Sequence, residues 1–176
     1  MYIWIGCKLP KAFEEKIRTR CLVCNEKIGL NMVAFSLPQH ISLKISFSSD
    51  RWEAILCDLS AWLGEQKPAT ICLREMQLQG NVLWLSAAEN AWLTGLHAAL
   101  DDRLKSRFDV PQHPFDREFM FHSTLFLDED TQKLAAMRDA LAEEFAPQEL
   151  PVDTFLLGIS ETGKPGSYRV VREITV

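Results

Sequence analysis

A chain of 176 residues with 47% hydrophobic content can build one domain core, or two small lobes sharing one, and is too apolar to be disordered. Its net charge of -5 argues against a protein that coats long nucleic acid, which needs many Lys and Arg contacts to phosphates; a nucleotide or an RNA end in a small cationic pocket stays open. Five cysteines in no regular framework point to a reducing compartment. With neither a run of roughly 20 apolar residues nor a secretory leader, the expected setting is the cytoplasm, with no membrane partner.

In chain order, Tyr2 to Leu9 reads as a strand, and Lys11 to Ile28 as a helix with Pro10 suited to its first turn. Ile41, Leu43, Ile45 and Phe47 then alternate with His40, Ser42, Lys44 and Ser46, the period of a strand with one buried face. A helix follows from about Asp50 to Leu63: Asp50 and Glu53 have capping-box spacing, and Trp52, Ile55, Leu56, Leu59 and Leu63 form its apolar stripe. Thr70 to Gln77 and Val82 to Ser86 make a hairpin turned by Gln79-Gly80-Asn81.

The second half repeats this order. A helix from about Glu89 to Phe108 carries Trp92, Leu93, Leu96, Leu100 and Leu104 inward, and a strand around His122 alternates Phe119, Phe121, Ser123, Leu125 and Leu127 with Met120, His122, Thr124 and Phe126. A helix from Asp130 to Phe145 precedes a closing hairpin, Val152 to Ser160 and Ser167 to Val176, joined through Gly163-Lys164-Pro165-Gly166. Helix, histidine strand, helix and hairpin thus occur twice, roughly over 10–87 and 88–176. The expectation is a single two-lobed domain spanning 1–176, with its oligomeric state left open.

Each repeat contains the same phrase, His40-Ile41-Ser42-Leu43 and His122-Ser123-Thr124-Leu125, with a hydroxyl two residues after a histidine. Residues i and i+2 of a strand share a face, so each phrase sets an imidazole beside a hydroxyl. Two such pairs facing one another can hold one phosphate, the imidazoles supplying acid and base and the hydroxyls gripping non-bridging oxygens. Lys44, two residues beyond Ser42, is a candidate cation on the same face. The other histidines read more plainly: His97 borders the packed face of its helix, and His113, before Pro114, sits in a loop. Cys21 and Cys24 fall on an apolar helical stripe and read as packing residues.

These segments resemble the two-histidine phosphoesterase superfamily, the group that contains bacterial RNA 2',3'-cyclic phosphodiesterases, also called 2'-5' RNA ligase-like proteins. Pro38-Gln39-His40-Ile41-Ser42-Leu43-Lys44 is similar to the first family motif, and Arg117-Glu118-Phe119-Met120-Phe121-His122-Ser123-Thr124-Leu125 to the second. Tyr168-Arg169-Val170-Val171-Arg172-Glu173 is similar to the closing strand. Ser42 stands where Thr is commoner, and Phe121 where Pro often precedes the histidine. The resemblance implies an α+β, bilobal, pseudo-duplicated fold, with two antiparallel sheets facing a central cleft and helices outside. It also implies an enzyme that needs neither metal nor cofactor.

The expected catalytic set is His40, His122, Ser42 and Thr124, with Lys44 and Arg117 as phosphate-binding cations and Phe119 and Tyr168 as stacking partners for a base. No HExxH motif, acidic cluster, Gly-rich phosphate loop or nucleophile elbow accompanies them, which disfavours metal hydrolases, P-loop enzymes and serine hydrolases. Three functions remain open: a phosphodiesterase for cyclic phosphate ends of RNA or small nucleotides, a non-catalytic nucleotide-binding module, and an RNA end-joining ligase using the same cleft.

Overall fold

β1 (Tyr2–Lys8) shows how the molecule is layered: Ile3, Ile5 and Cys7 enter the core, while Tyr2, Trp4, Gly6 and Lys8 line the opposite face. The computed structural model describes residues 1–142 and 145–176. α1 (Lys11–Ile28) buries Phe13, Ile17 and Cys21, and ends where Gly29 adopts φ 73° and its N–H bonds Asn25 O. β2 (His40–Ser42), β3 (Phe47–Ser48), α2 (Trp52–Gly64) and the hairpin of β4 (Ala69–Gln79) and β5 (Val82–Ala87) follow. Next come α3 (Ala91–Phe108), β6 (His122–Leu127), α4 (Thr131–Ala142), β7 (Gln148–Val152), β8 (Thr154–Ser160) and β9 (Arg169–Thr175). Short 3-10 turns at Val33–Ser36 and Pro114–Asp116 precede the two histidine strands.

The fold is α+β, with two antiparallel sheets facing a cleft. One sheet has the order β2-β1-β8-β9, with β3 also pairing β1; the other has the order β6-β5-β4-β7. Each hairpin is therefore added to the other half's histidine strand: β4 and β5 extend β6, and β8 and β9 extend β1 and β2. Helices back both sheets, α2 lying on β8 and β9, and α4 on β4 and β5 with α1 beside it. Asp58 of α2 ties the first layer to α3, accepting from Arg103 Nε and Nη2 (2.5 and 2.8 Å) and Arg107 Nη1 (2.7 Å). Burial opposes ionisation of this carboxyl, but the two guanidiniums hold it below the usual carboxylate range.

Four local expectations change. β7, which pairs β4, is a strand the sequence pattern did not show. The first histidine strand stops at Ser42 instead of running to Phe47: Leu43 N–H still donates to Ile5 O on β1 (2.9 Å), but Ile45 N–H turns to Asp116 Oδ1 (3.0 Å), and Leu43 and Lys44 are both buried. Alternation cannot describe two consecutive buried residues. α2 starts at Trp52, and Asp50 does not cap it; Ser49 Oγ instead accepts from Arg51 N (3.1 Å) and closes the entering turn. α3 starts after Asn90, whose Oδ1 accepts from Leu93 N (3.1 Å). Of the helix expected from Asp130 to Phe145, residues 143–144 lie outside the described residues.

Candidate active site

The two sheets meet along their edge strands, β2 and β6, and Gln39 fastens the join. Its Oε1 accepts from Ser123 Oγ (2.9 Å), and its Nε2 donates to Thr124 O (3.4 Å). Gln39 precedes His40 and Ser123 follows His122, so this buried bridge ties together the chain segments carrying the two imidazoles. Ser42 and Thr124 lie two residues beyond their histidines on the same strand faces.

The histidines are held alike. His40 Nδ1 is 2.7 Å from Pro38 O, and His122 Nδ1 is 2.6 Å from Met120 O, in each case the carbonyl two residues upstream. A carbonyl oxygen only accepts, so both Nδ1 atoms carry the proton and both Nε2 atoms are turned over to chemistry. Burial pushes the His40 imidazole down to about 4 against the Pro38 hydrogen bond, and the charge of His122 lowers it further. Burial also lowers His122, with its bond to Met120 O opposing.

Two tryptophans complete the arrangement, and the sequence reading missed both. The Trp4 ring meets His40 edge-on at 4.3 Å (68° between planes), and its Nε1 donates to Ser42 Oγ at 3.0 Å. It lies along the sheet in space kept open by glycines: a Cβ at Gly6 would be 2.7 Å from the indole, and one at Gly158 2.6 Å. Trp84, opposite Thr124 on β5, stacks on His122 at 4.1 Å (25°) and donates Nε1 to Gln77 Oε1 at 3.3 Å. The signal available in the sequence was a tryptophan in a strand neighbouring each histidine strand, but neighbours are set by pairing, which no local pattern displays.

The remaining expected residues disperse. Lys44 is not on the face of His40 and Ser42; it is 3% exposed, with Nζ 2.5 Å from both Asp101 Oδ1 and Asp116 Oδ2. It serves as a buried counter-ion because the chain leaves β1 after Leu43, whose N–H makes the last bond to it, at Ile5 O (2.9 Å). Burial of Asp116 opposes its ionisation, yet the Lys44 ammonium and backbone N–H donors hold the carboxyl low. Tyr168 is not at the histidines either: register places its end of β9 by Ile3, whereas His40 pairs with Lys8, roughly 16 Å along β1. Its hydroxyl donates to Gly163 O at 3.5 Å. Arg117 is exposed at the end of the Pro114–Asp116 turn. Phe119 does approach, lining with Trp84, Phe121 and His122 a cavity of about 360 Å³.

Among the described residues, no group of three or more His, Cys, Asp or Glu side chains is placed to hold a metal ion. Nor is any helix long and apolar enough to cross a membrane. Cys21 is buried, its thiol pushed up to about 12 by burial and then by Cys24.

The sequence profile of the 2'-5' RNA ligase superfamily matches residues 34–164, a span that includes both histidine motifs. The chain belongs to this superfamily. Its fold is similar to TT0787 of Thermus thermophilus, with a TM-score of 0.69 at 18% identity over 99% of this chain and 97% of that one. E. coli LigT in apo form gives 0.58 at 20% identity over 99% and 96%, and Kluyveromyces marxianus Usb1 gives 0.56 at 13% over 99% and 98%. LigT has also been solved with 3'-AMP, phosphate, ATP and NADP+. No curated protein matches by sequence. Membership in the superfamily supports a phosphoesterase or ligase-type activity, and two imidazoles with free Nε2 atoms are suited to such work.

Proposed function

We propose that the chain is a metal-independent phosphodiesterase that opens 2',3'-cyclic phosphate ends of RNA or small cyclic nucleotides. The observation that carries the reading is the shared anchoring of both histidines, Nδ1–H on a carbonyl and Nε2 directed away, which suits one as base and the other as acid. His40, the more strongly depressed, is the base: its Nε2 takes a proton from water as the water oxygen forms a bond to phosphorus. His122 is the acid: its Nε2–H gives a proton to the ribose oxygen as the P–O bond breaks, leaving a phosphomonoester. A bound phosphate anion favours the imidazolium and so restores the proton that burial disfavours.

Ser42 and Thr124 donate to the non-bridging oxygens as charge develops. Ser42 is the better prepared, since the Trp4 N–H already occupies one of its lone pairs and leaves its own hydrogen free to donate. The base rests in the cavity beside His122, against Trp84 and Phe119, where stacking is worth about 1–3 kcal/mol. The LigT complex with 3'-AMP supports a ligand of nucleotide size for a cleft of this fold.

The deciding experiment incubates the purified protein, with and without EDTA, with 2',3'-cyclic nucleotides and cyclic-phosphate RNA oligomers, and identifies the products. Monoester formation that persists in chelator is expected. Joined RNA ends would assign the ligase direction instead, and binding without turnover would make the cleft a nucleotide-binding module.

A further inference from the structure

Behind the motif strands lies a buried polar cluster that the proton transfers do not use. His97 of α3 is 8% exposed, with Nδ1 2.7 Å from Leu43 O and Nε2 2.9 Å from Asp116 O. Both partners are carbonyl oxygens, which only accept, whereas a neutral imidazole has a single N–H. Both contacts are hydrogen bonds only when His97 carries a proton on each nitrogen.

The surroundings match that charge. Asp101 Oδ2, one helical turn along, is 3.7 Å from His97 Nε2 and accepts from Gln112 Nε2 at 2.9 Å. Asp101 and Asp116 also share the Lys44 ammonium. The His97 ring and the Lys44 ammonium thus face two carboxylates, these groups coming from α3, the Pro114–Asp116 turn and the segment after β2. With a proton on each His97 nitrogen the arrangement is neutral as a whole, which is the condition for keeping charges away from water.

The two carbonyls belong to the two motif segments. Leu43 directly follows Ser42, and Asp116 opens the stretch that leads to His122. Within that stretch Phe119 lies on the His97 ring at 4.8 Å (20°), and Phe121 meets it edge-on at 5.9 Å (85°). His97 therefore touches the end of one histidine strand and the approach to the other. Gln39 joins the same segments at the cleft seam, and His97 joins them from behind.

We propose that His97, as an imidazolium with both N–H groups engaged, is a positioning residue that fixes the Ser42 end of the first motif against the segment delivering His122. It touches no reacting atom, so its effect falls on the geometry of the transition state more than on substrate affinity. The kinetic part of this inference rests on the phosphodiesterase reading, and its spectroscopic part does not.

The test combines nitrogen-resolved NMR of the full chain with two substitutions. At neutral pH both ring nitrogens of His97 should carry protons in the unsubstituted protein; an unprotonated nitrogen in that ring overturns the inference. His97→Phe keeps a ring against Phe119 and removes both donors, and His97→Gln keeps one. On a 2',3'-cyclic nucleotide, kcat should fall roughly 10- to 100-fold in His97→Phe, the scale of a small misplacement of reacting groups. KM should stay within about twofold, and His97→Gln should recover part of the loss. Folded His97→Phe with undiminished kcat overturns the positioning role. If the unsubstituted protein turns over no cyclic phosphate, the function reading fails, and positioning is judged by the His40 and His122 imidazole signals. Those signals should move in His97→Gln, and unchanged signals would overturn the inference.

Discussion

On the β1–β2 side the tryptophan donates to the motif hydroxyl and meets the histidine edge-on; on the β5–β6 side it lies flat on the histidine and donates to a glutamine. The backbone causes this difference. Trp4 lies across two strand glycines, which lets its indole slide along the sheet to Ser42, whereas Trp84 stands directly opposite Thr124 and packs sideways against His122. Both imidazoles touch an indole and are anchored through Nδ1, features that on the proposed function suit each for proton transfer. The unshared ones are what the proposed function would assign to different roles in the two arms.

Removing either imidazole gives the largest effect expected. His40→Ala and His122→Ala should each lower turnover at least about 100-fold, and the double variant should lose little more than the worse single one, since neither proton transfer proceeds well alone. The arms should separate by pH. His40 must be neutral and His122 protonated, and both are lowered from 6.5, so kcat/KM should peak on the acid side of 6.5. Activity should rise as pH increases through about 4, where His40 loses its proton, and fall as His122 deprotonates. His40→Ala should abolish the rising limb and His122→Ala the falling one; the opposite assignment would exchange acid and base.

Gly158→Ala tests the bed of the Trp4 indole. The new methyl would sit 2.6 Å from the ring, which also spans Gly6, where a Cβ would likewise fall 2.7 Å from it. Overpacking of this kind should cost about 1–3 kcal/mol in denaturant unfolding. Turnover should fall with it, because the indole can no longer hold its bond to Ser42. Wild-type stability and turnover in Gly158→Ala would show that Trp4 relocates freely.

The smallest effects separate the tryptophans themselves. Trp4→Phe removes the N–H that orients Ser42 and should slow turnover by roughly 2- to 10-fold, the worth of one hydrogen bond. Trp84→Phe keeps a ring beside His122, gives up the bond to Gln77 and shrinks the surface under the base, a loss that falls on KM, so its turnover should stay within about twofold of wild type. Steady-state rates on one cyclic nucleotide decide the matter. Equal losses would mean that the arms are functionally alike despite their geometry.

Much of the candidate site was legible because the contacts that build it are local. A histidine and a hydroxyl at i and i+2 share a face in any strand, and the upstream carbonyls that anchor the imidazoles lie only two residues away, so His40, Ser42, His122 and Thr124 were readable as pairs. Lys44 was misread for the complementary reason. Period-2 alternation assumes that the ladder continues, and here Asp116, far along the chain, takes the Ile45 N–H and the Lys44 ammonium.

The sequence by itself determined the order of the helices and of most strands, the two motif faces and the family resemblance, since these depend on spacing within a few residues; β7, which pairs β4, was not among them. Only the tertiary structure decided that each hairpin joins the other half's histidine strand, which tryptophan attends which imidazole, and that Gln39 and His97 clasp the motif segments from opposite sides. Those outcomes depend on strand pairing and buried charge balance between residues far apart in the chain. Periodicity records which face of an element is buried and leaves its partner unnamed.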